Sequence, residues 1–390
     1  MTTTPNLSTR RVDPYNPPAE HARLQEEQPV SQVGWRDDRK IWAVTKHADV
    51  RAVLSDARFS SDRSLPGHPT NIGYAPGDKL KQLIEMDPPE HTTARGRVMG
   101  EFTVKKVAAM RPWITKIVEE AIDMMLQGPS ETDFVVALSL PVPSMVIAEL
   151  LGVPYDDHDF FQENSAAFVD QHTTPVEKAA AMGRLRSYIA DLVNSRIEAP
   201  GNDILSRQLS AGADPQDLVG LGFLLLIAGH ETTANMISLC VATLLDKPEL
   251  LQQLRDDPDL MPGAVEELLR YFTIAEIGGL RLATADIEVG GTLIHAGDAV
   301  FALSNTANRD PEVFPEPNRI DFTRGARNHV AFGFGPHQCL GQNLARLELE
   351  IVLSAVIRRI PALRLAVPFA EIPFKEYGPN YGIYKLPVAW

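Results

Sequence analysis

The sequence predicts a mainly α-helical protein with small β-sheets. Apolar residues recur at helical spacing along most of the chain, and one such run, from Asp214 to Asp246, covers about 30 residues. Strand-like alternation is confined to residues 280–304 and a few short pieces near the C-terminus. The 30 prolines and 26 glycines are scattered, with no linker, low-complexity tract or repeat, which favours one large domain over residues 1–390.

Taken in order, Trp35 to Thr45 reads as a hairpin around Asp37-Asp38, and Asp49 to Leu54 as a helical piece. Residues 62–80, rich in Gly, Pro, Ser and Asn, form a loop. Helical spacing runs from His91 to Leu126, with a break near Phe102, and again from Val135 to Leu151, where Gly152 and Pro154 stop it. Residues 158–198 hold two or three amphipathic helices. In the longest helix Asp214 caps the first turn, Pro215 suits the first position and Lys247-Pro248 ends it. A shorter helix spans Pro262 to Phe272. Turns at Gly290-Gly291 and Gly297-Asp298 punctuate the strand region, residues 308–338 are loop-rich, and a last helix runs from Gly341 to Arg358.

Composition narrows the function. Hydrophobic residues make up 44% and charged residues 23%, an ordinary globular mix. A net charge of −14 does not attract a phosphate backbone, so nucleic acid is not an expected partner. Two cysteines, Cys240 and Cys339, make no disulfide framework and point to a reducing compartment. Met1 to Pro29 lacks the apolar core of a signal peptide. The longest unbroken apolar stretch, Leu218 to Ala228, is shorter than the ~20 residues a bilayer needs. The expectation is a cytoplasmic protein without a membrane anchor.

The most informative stretch is Phe332-Gly333-Phe334-Gly335-Pro336-His337-Gln338-Cys339-Leu340-Gly341. Its glycines permit positive φ and close approach to a flat partner, and a cysteine at a helix N-terminus has a stabilised thiolate. Zinc would require further Cys or His ligands, and an iron–sulfur cluster usually four cysteines. Haem iron needs one protein ligand. Alone, Cys339 reads as a buried structural cysteine beside a glycine-rich turn. The pattern Phe-Gly-x-Gly-x-His-x-Cys-x-Gly, however, resembles the haem-binding signature of the cytochrome P450 family, particularly its soluble bacterial members. Other motifs follow in the expected order over nearly the whole chain. The resemblance implies a cytochrome P450-type fold, haem b (iron protoporphyrin IX) as cofactor and Cys339 as the iron ligand.

It also assigns roles elsewhere. Ala228-Gly229-His230-Glu231-Thr232-Thr233 resembles the family's oxygen-activating motif, with Glu231 as the acid and Thr232 as the alcohol of a proton relay. Glu267 and Arg270, which alone read as a solvated i,i+3 pair, match Glu-x-x-Arg, with Arg319 expected as the third member. His91, Arg95, Arg281 and His337 match positions that hold haem propionates. Cys240 reads as a core residue. The implied activity is insertion of one atom of O2 into a C–H bond of an apolar small molecule. Because no dinucleotide fingerprint is present, ferredoxin and ferredoxin reductase are expected as separate partners of a monomer. Arg97, Lys105, Lys106 and Arg346 are the candidate docking contacts.

For the substrate pocket we expect walls from Leu224, Ala228, Ile274 and Ile277. The loop 62–80 and the helices near 160–185 should form a roof, and the loop Tyr377 to Tyr384 should approach from the C-terminus. A peroxygenase, or a haem-containing binding or recruitment module, is the alternative. The intact Glu231-Thr232 pair and Cys339 argue against both.

Overall fold

The computed structural model describes residues 7–35, 39–70, 82–167 and 173–390. The chain runs through α1 (Ala19–Glu27), β1 (Val30–Gly34), β2 (Lys40–Val44), α2 (His47–Ser55) and β3 (Phe59–Ser60). There follow α3 (Glu90–Met99), α4 (Val104–Gln127), β4 (Glu131–Asp133), α5 (Pro141–Leu151), α6 (His158–Ala166), α7 (Pro175–Glu198) and α8 (Ile204–Ser210). Next are α9 (Pro215–Asp246), α10 (Pro248–Asp256), α11 (Met261–Phe272) and the strands β5 (Leu280–Ala283), β6 (Ile287–Val289), β7 (Thr292–Ile294) and β8 (Ala299–Ala302). The chain closes with α12 (Ser304–Ala307), α13 (Gln342–Arg359), β9 (Arg364–Leu365) and β10 (Pro387–Ala389).

The expected mainly helical architecture with small sheets is present. β1 and β2 pair antiparallel from Val30↔Val44 to Gly34↔Lys40, although the Asp37-Asp38 turn lies outside the described residues. The largest sheet has the order β1-β2-β8-β5-β3, with β2 and β8 parallel, so it joins the N-terminal hairpin to the expected strand region. The remaining sheets are β4-β10-β9 and β6-β7. The β6-β7 turn uses Gly290 and Gly291, both at positive φ (54° and 77°), as its sequence requires.

Some elements differ from expectation. The break near Phe102 is a 3-10 turn, Gly100–Phe102. The helix expected from Val135 begins as a π-helical turn, Val135–Ser139, because Pro141 and Pro143 cannot donate backbone hydrogen bonds; the Leu140 amide reaches back to the Val135 carbonyl. Helices α1, α8 and α10 were not foreseen. Pro248 ends α9 as expected, yet it also occupies the first turn of α10, where its missing N–H costs nothing.

Helix α9 is the axis of the fold. Asp214 accepts the Gln216 amide as its cap, and α5, α7 and α13 pack around it. By length and composition it could cross a membrane, but 72% of its most apolar window is buried inside the protein. Such a profile is what a core helix shows, since each fully buried Leu, Ile or Phe contributes about 1.5–3 kcal/mol. Cys240 lies here, 1% exposed, as a core residue.

Behind this core, Glu267 and Arg270 are fully buried and paired at 2.7 and 2.8 Å. The third member of the cluster is Arg324, not Arg319. Arg324 Nε donates to Glu267 Oε1 at 3.1 Å, while the Arg319 side chain is 65% exposed and turns to Glu316. Arg319 contributes its backbone carbonyl instead, accepting from Arg270 and Arg324.

Candidate functional site

A cavity of about 390 Å3 lies between α9, α13, the loop before α13, α3 and the segment 274–281. The loop 332–341 is shaped by backbone geometry. Gly333 and Gly335 have φ of 70° and 72°, and a Cβ on Gly335 would sit 2.7 Å from the Leu54 carbonyl oxygen. The Cys339 amide donates to the Phe332 carbonyl at 2.8 Å, closing the loop so that Cys339 opens onto the cavity floor. Burial pushes the Cys339 thiol up, while the Gly341 amide and the Arg95 and Arg346 charges favour the thiolate.

Opposite stands α9. Leu224, Ala228 and Thr232, each one helical turn from the next, all line the cavity. The Thr232 hydroxyl donates to the Ala228 carbonyl at 2.6 Å, the back-bond a helical threonine makes when nothing else occupies it. A Cβ on Gly229 would meet Ile147 at 2.6 Å, so this glycine also lets α5 close against α9. His230 points away from the cavity: it is 4% exposed, bonded to the Leu140 carbonyl, and burial lowers its pKa to about 4. Glu231 does not line the cavity. Its carboxylate accepts from Lys375 Nζ at 3.3 Å.

One corner of the cavity gathers hydrogen-bond donors. Arg281 is buried and, among the described residues, donates to the carbonyls of Gly278 and Leu280, at 3.2 and 2.8 Å. Burial lowers its pKa to about 10. The rings of His91 and His337 stand 4.0 Å apart, and both ring nitrogens of buried His91 lack a partner among the described residues. Burial, with the charges of Arg281, His91 and Arg95, lowers His337 to about 3. Arg95 donates to the Gln338 carbonyl at 2.5 Å, tying α3 to the cysteine loop. Asp87, whose charge acts on Arg281 and His91, is already engaged by the Ser60 hydroxyl and the Ser61 amide.

A buried corner of this kind is costly unless an anion fills it. It fits haem: two propionates would satisfy the orphaned donors, and Cys339 would supply the ligand to the iron.

The structure thus brings His91, Arg95, Arg281, His337 and Cys339 together, with Thr232, Leu224, Ala228, Ile274 and Ile277 around the same cavity. It corrects other expectations. None of the described residues from 160 to 185 lines the cavity, whereas Arg63, His68 and Thr70 of the expected roof loop do, with Leu83 and Ile84. Residues 71–80 of the expected roof lie outside the described residues. The loop Tyr377 to Tyr384 backs the Ile274 wall instead of lining it, through the Tyr381 amide to Ile274 carbonyl bond at 2.8 Å and the Ala275↔Asn380 bridge. Arg346 is no free docking charge. It donates to Glu266 at 2.6 Å and stacks 4.6 Å from the Phe332 ring centre.

Three residues were missed in the sequence. His68 is 1% exposed and lines the cavity; its Nδ1 accepts from the Thr70 amide, so Nε2 carries the proton, and among the described residues Nε2 has no partner. Burial lowers it to about 4. Glu348 of α13 lines the Cys339 side, and burial pushes its carboxyl up to about 8. Lys375 holds Glu231. His68 sits in a Pro/Gly loop, Glu348 among helical apolar residues and Lys375 in an irregular tail, and no local pattern marks any of them.

Comparison with known proteins agrees with this geometry. The profile of the cytochrome P450 family matches residues 167–363. Cytochrome P450-SU2 of Streptomyces griseolus is 46% identical over 97% of this chain and 94% of its own length. The chain belongs to the cytochrome P450 family. Pentalenic acid synthase of Streptomyces avermitilis is 48% identical over 97% of this chain and 96% of its own length. The crystal structure of the cytochrome P450 MoxA from Nonomuraea recticatena superposes with a TM-score of 0.94 at 49% identity, covering 99% of this chain and 98% of MoxA. As a P450, the protein is a haem-thiolate monooxygenase with iron protoporphyrin IX as cofactor.

Proposed function

We propose that this P450 hydroxylates a mostly apolar molecule of moderate to large size, a polyketide, terpenoid or sterol-like compound or a drug resembling one. The observation that carries this reading is the cavity itself. Cys339 and the donor corner lie on one side, the Leu224–Ala228–Thr232 face of α9 on the other, and apolar Ile274 and Ile277 between them. Haem bound to a thiolate supplies activation of dioxygen for C–H oxidation, a general property of cytochromes P450 rather than a result of this geometry.

The chain's own residues do the rest. Cys339 ligates the iron. His91, Arg95, Arg281 and His337 hold the propionates, and His68 adds a fifth donor. Thr232 presents a hydroxyl at the cavity surface, and Glu231, its neighbour on α9, supplies protons to it. Leu224, Ala228, Ile274 and Ile277 exclude water and orient the substrate. Relatives offer a size range: one is named vitamin D3 dihydroxylase, from Streptomyces griseolus, and another 20-oxo-5-O-mycaminosyltylactone 23-monooxygenase, from Streptomyces fradiae. We further propose that residues 1–390 act as one cytoplasmic, monomeric domain.

Electrons come from a separate ferredoxin and ferredoxin reductase, since the sequence carries no dinucleotide fingerprint. Arg97, Lys105 and Lys106 remain as docking contacts, although Arg97 faces Asp217 at 3.6 Å and Lys106 faces Glu101 at 3.1 Å. The test is a pair of variants. Cys339→Ser abolishes the thiolate-type carbon monoxide spectrum. Thr232→Ala keeps that spectrum but diverts reducing equivalents from product to peroxide or water. A retained thiolate band in the first variant, or unchanged product per NADPH in the second, refutes the assignments.

A further inference from the structure

The cavity wall that carries Ile274 and Ile277 is irregular chain. It begins at Thr273, a β-branched residue at φ 42° and ψ 68°. That conformation strains such a residue and persists only where neighbours impose it. Ile274, Ala275, Ile277 and Gly278 line the cavity, and regular structure resumes with β5 at Leu280. Glu276, in their midst, is buried but does not line the cavity.

The wall is held from behind by both ends of the chain. From the C-terminal side, the Tyr381 amide donates to the Ile274 carbonyl at 2.8 Å, while the Glu276 amide donates to the Pro379 carbonyl at 2.9 Å. From the N-terminal side comes Arg11, whose side chain is 0% exposed although it precedes the first helix. Its guanidinium meets Glu276 Oε1 at 2.5 Å, donates to the Thr273 carbonyl at 3.0 Å and lies 4.3 Å over the Tyr381 ring centre. One group therefore touches the strained residue, the buried acid of the wall and the tail behind it. Glu276 Oε2 accepts from Asn305 Nδ2 at 3.0 Å, and the Tyr381 hydroxyl donates to the Pro14 carbonyl at 2.8 Å.

A buried ion pair stabilises a fold little better than apolar side chains of the same volume, because desolvation offsets the attraction. What such a pair can add is a fixed geometry, here between residues 265 positions apart. We propose that Arg11 is a positioning residue for substrate, setting through Glu276 and Thr273 where the Ile274 and Ile277 side chains stand in the cavity. The inference rests on the reading of that cavity as the substrate pocket. A rigid, bulky apolar ligand that packs on the wall depends on this placement. A ligand small enough to reach the iron without touching the wall does not.

The experiment uses the haem-loaded full chain and reads binding, not turnover. Spectral titrations with imidazole and with clotrimazole, a triarylmethyl imidazole, are run on wild type, Arg11→Met, Arg11→Met/Glu276→Gln and Ile277→Ala, and each protein is melted. Arg11→Met should weaken clotrimazole about tenfold, the equivalent of one charge-assisted hydrogen bond, and leave imidazole within about twofold. It should also lower Tm, because the Glu276 charge is left buried without its cation. The double variant removes that charge and keeps an acceptor for Asn305, so it should regain Tm but not clotrimazole affinity. The amides of residues 274–281 should exchange with D2O faster in both Arg11 variants. If clotrimazole affinity returns with Tm, if imidazole weakens as much as clotrimazole, or if exchange at 274–281 is unchanged, Arg11 is a general fold contact and the inference is overturned. If Ile277→Ala weakens clotrimazole but Arg11→Met does not, the inference is overturned and the pocket reading stands. If Ile277→Ala leaves clotrimazole unchanged, the pocket reading fails and the inference with it. Should Arg11→Met not load haem, Arg11→Gln takes its place under the same criteria.

Discussion

Replacing Glu267 by alanine removes the acceptor of four hydrogen bonds: from Arg270 Nε at 2.7 Å, Arg270 Nη2 at 2.8 Å, the Asp321 amide at 3.0 Å and Arg324 Nε at 3.1 Å. Arg270 is left in the core, 0% exposed, with, among the described residues, the carbonyls of Asn308, Pro317 and Arg319. Breaking a buried pair by removing one partner costs about 3–5 kcal/mol. An unfolding entropy of about 2.1 cal/mol/K per residue gives roughly 0.8 kcal/mol/K for 390 residues, so Glu267→Ala should lower Tm by about 4–6 °C. Arg324→Ala leaves the Glu267–Arg270 pair intact and loses one bond to a buried charge, about 2–3 kcal/mol, or about 2–4 °C. Arg319→Ala touches only an exposed pair with Glu316, worth less than about 1 kcal/mol, and should shift Tm by no more than about 1 °C. The assay is thermal melting of haem-loaded protein by circular dichroism and haem absorbance. An Arg319→Ala variant melting as low as Arg324→Ala, or a Glu267→Ala variant melting with wild type, refutes the assignment of the third arginine.

Burial pushes Glu266 up, but hydrogen bonds from His329 and Arg346 outweigh it and hold the carboxyl at about 2. A depressed carboxylate contributes stability that is full above its unfolded value of about 4.5 and is lost as pH falls toward 2. Glu266→Gln should therefore remove up to about 3 kcal/mol at neutral pH and flatten the acid limb between pH 4.5 and 2, read by denaturant unfolding against pH; an unchanged limb contradicts this. Ala228→Phe fills the cavity wall and should abolish spectral shifts with 4-phenylimidazole while preserving the carbon monoxide spectrum, whereas equal affinity would displace Ala228 from the pocket map. His68→Leu should speed haem loss to apomyoglobin several-fold, because a propionate loses one donor, and an unchanged rate would leave His68 without that role.

How much of this was legible beforehand differs by residue. The α9 helix, its Asp214 cap, the strands of residues 280–302 and the turn at Gly290-Gly291 follow from periodicity and turn chemistry, which are local. The Cys339 loop was legible because its glycines are needed at fixed places: Gly335 has both a positive φ and a backbone 2.7 Å from where its Cβ would be. Leu224, Ala228 and Thr232 share a face because helical spacing dictates it. Helices α1, α8 and α10 were not foreseen, since each is nine residues or shorter and held by packing more than by its own pattern.

By itself the sequence determined that the chain is largely helical, that Cys339 precedes a helix in a glycine-shaped loop, and that an acid and an alcohol interrupt an apolar helix. Only the tertiary structure decided which side chains from distant segments meet. Arg324 reaches Glu267 where Arg319 was expected, His68 turns an unpaired Nε2 into the donor corner, and Lys375 closes on Glu231 from the C-terminal tail. The reason is that charge pairing depends on distance in space, while the sequence orders residues only along the chain. Two arginines five positions apart in an irregular loop look alike until the backbone turns one carbonyl and one guanidinium toward the same buried carboxylate.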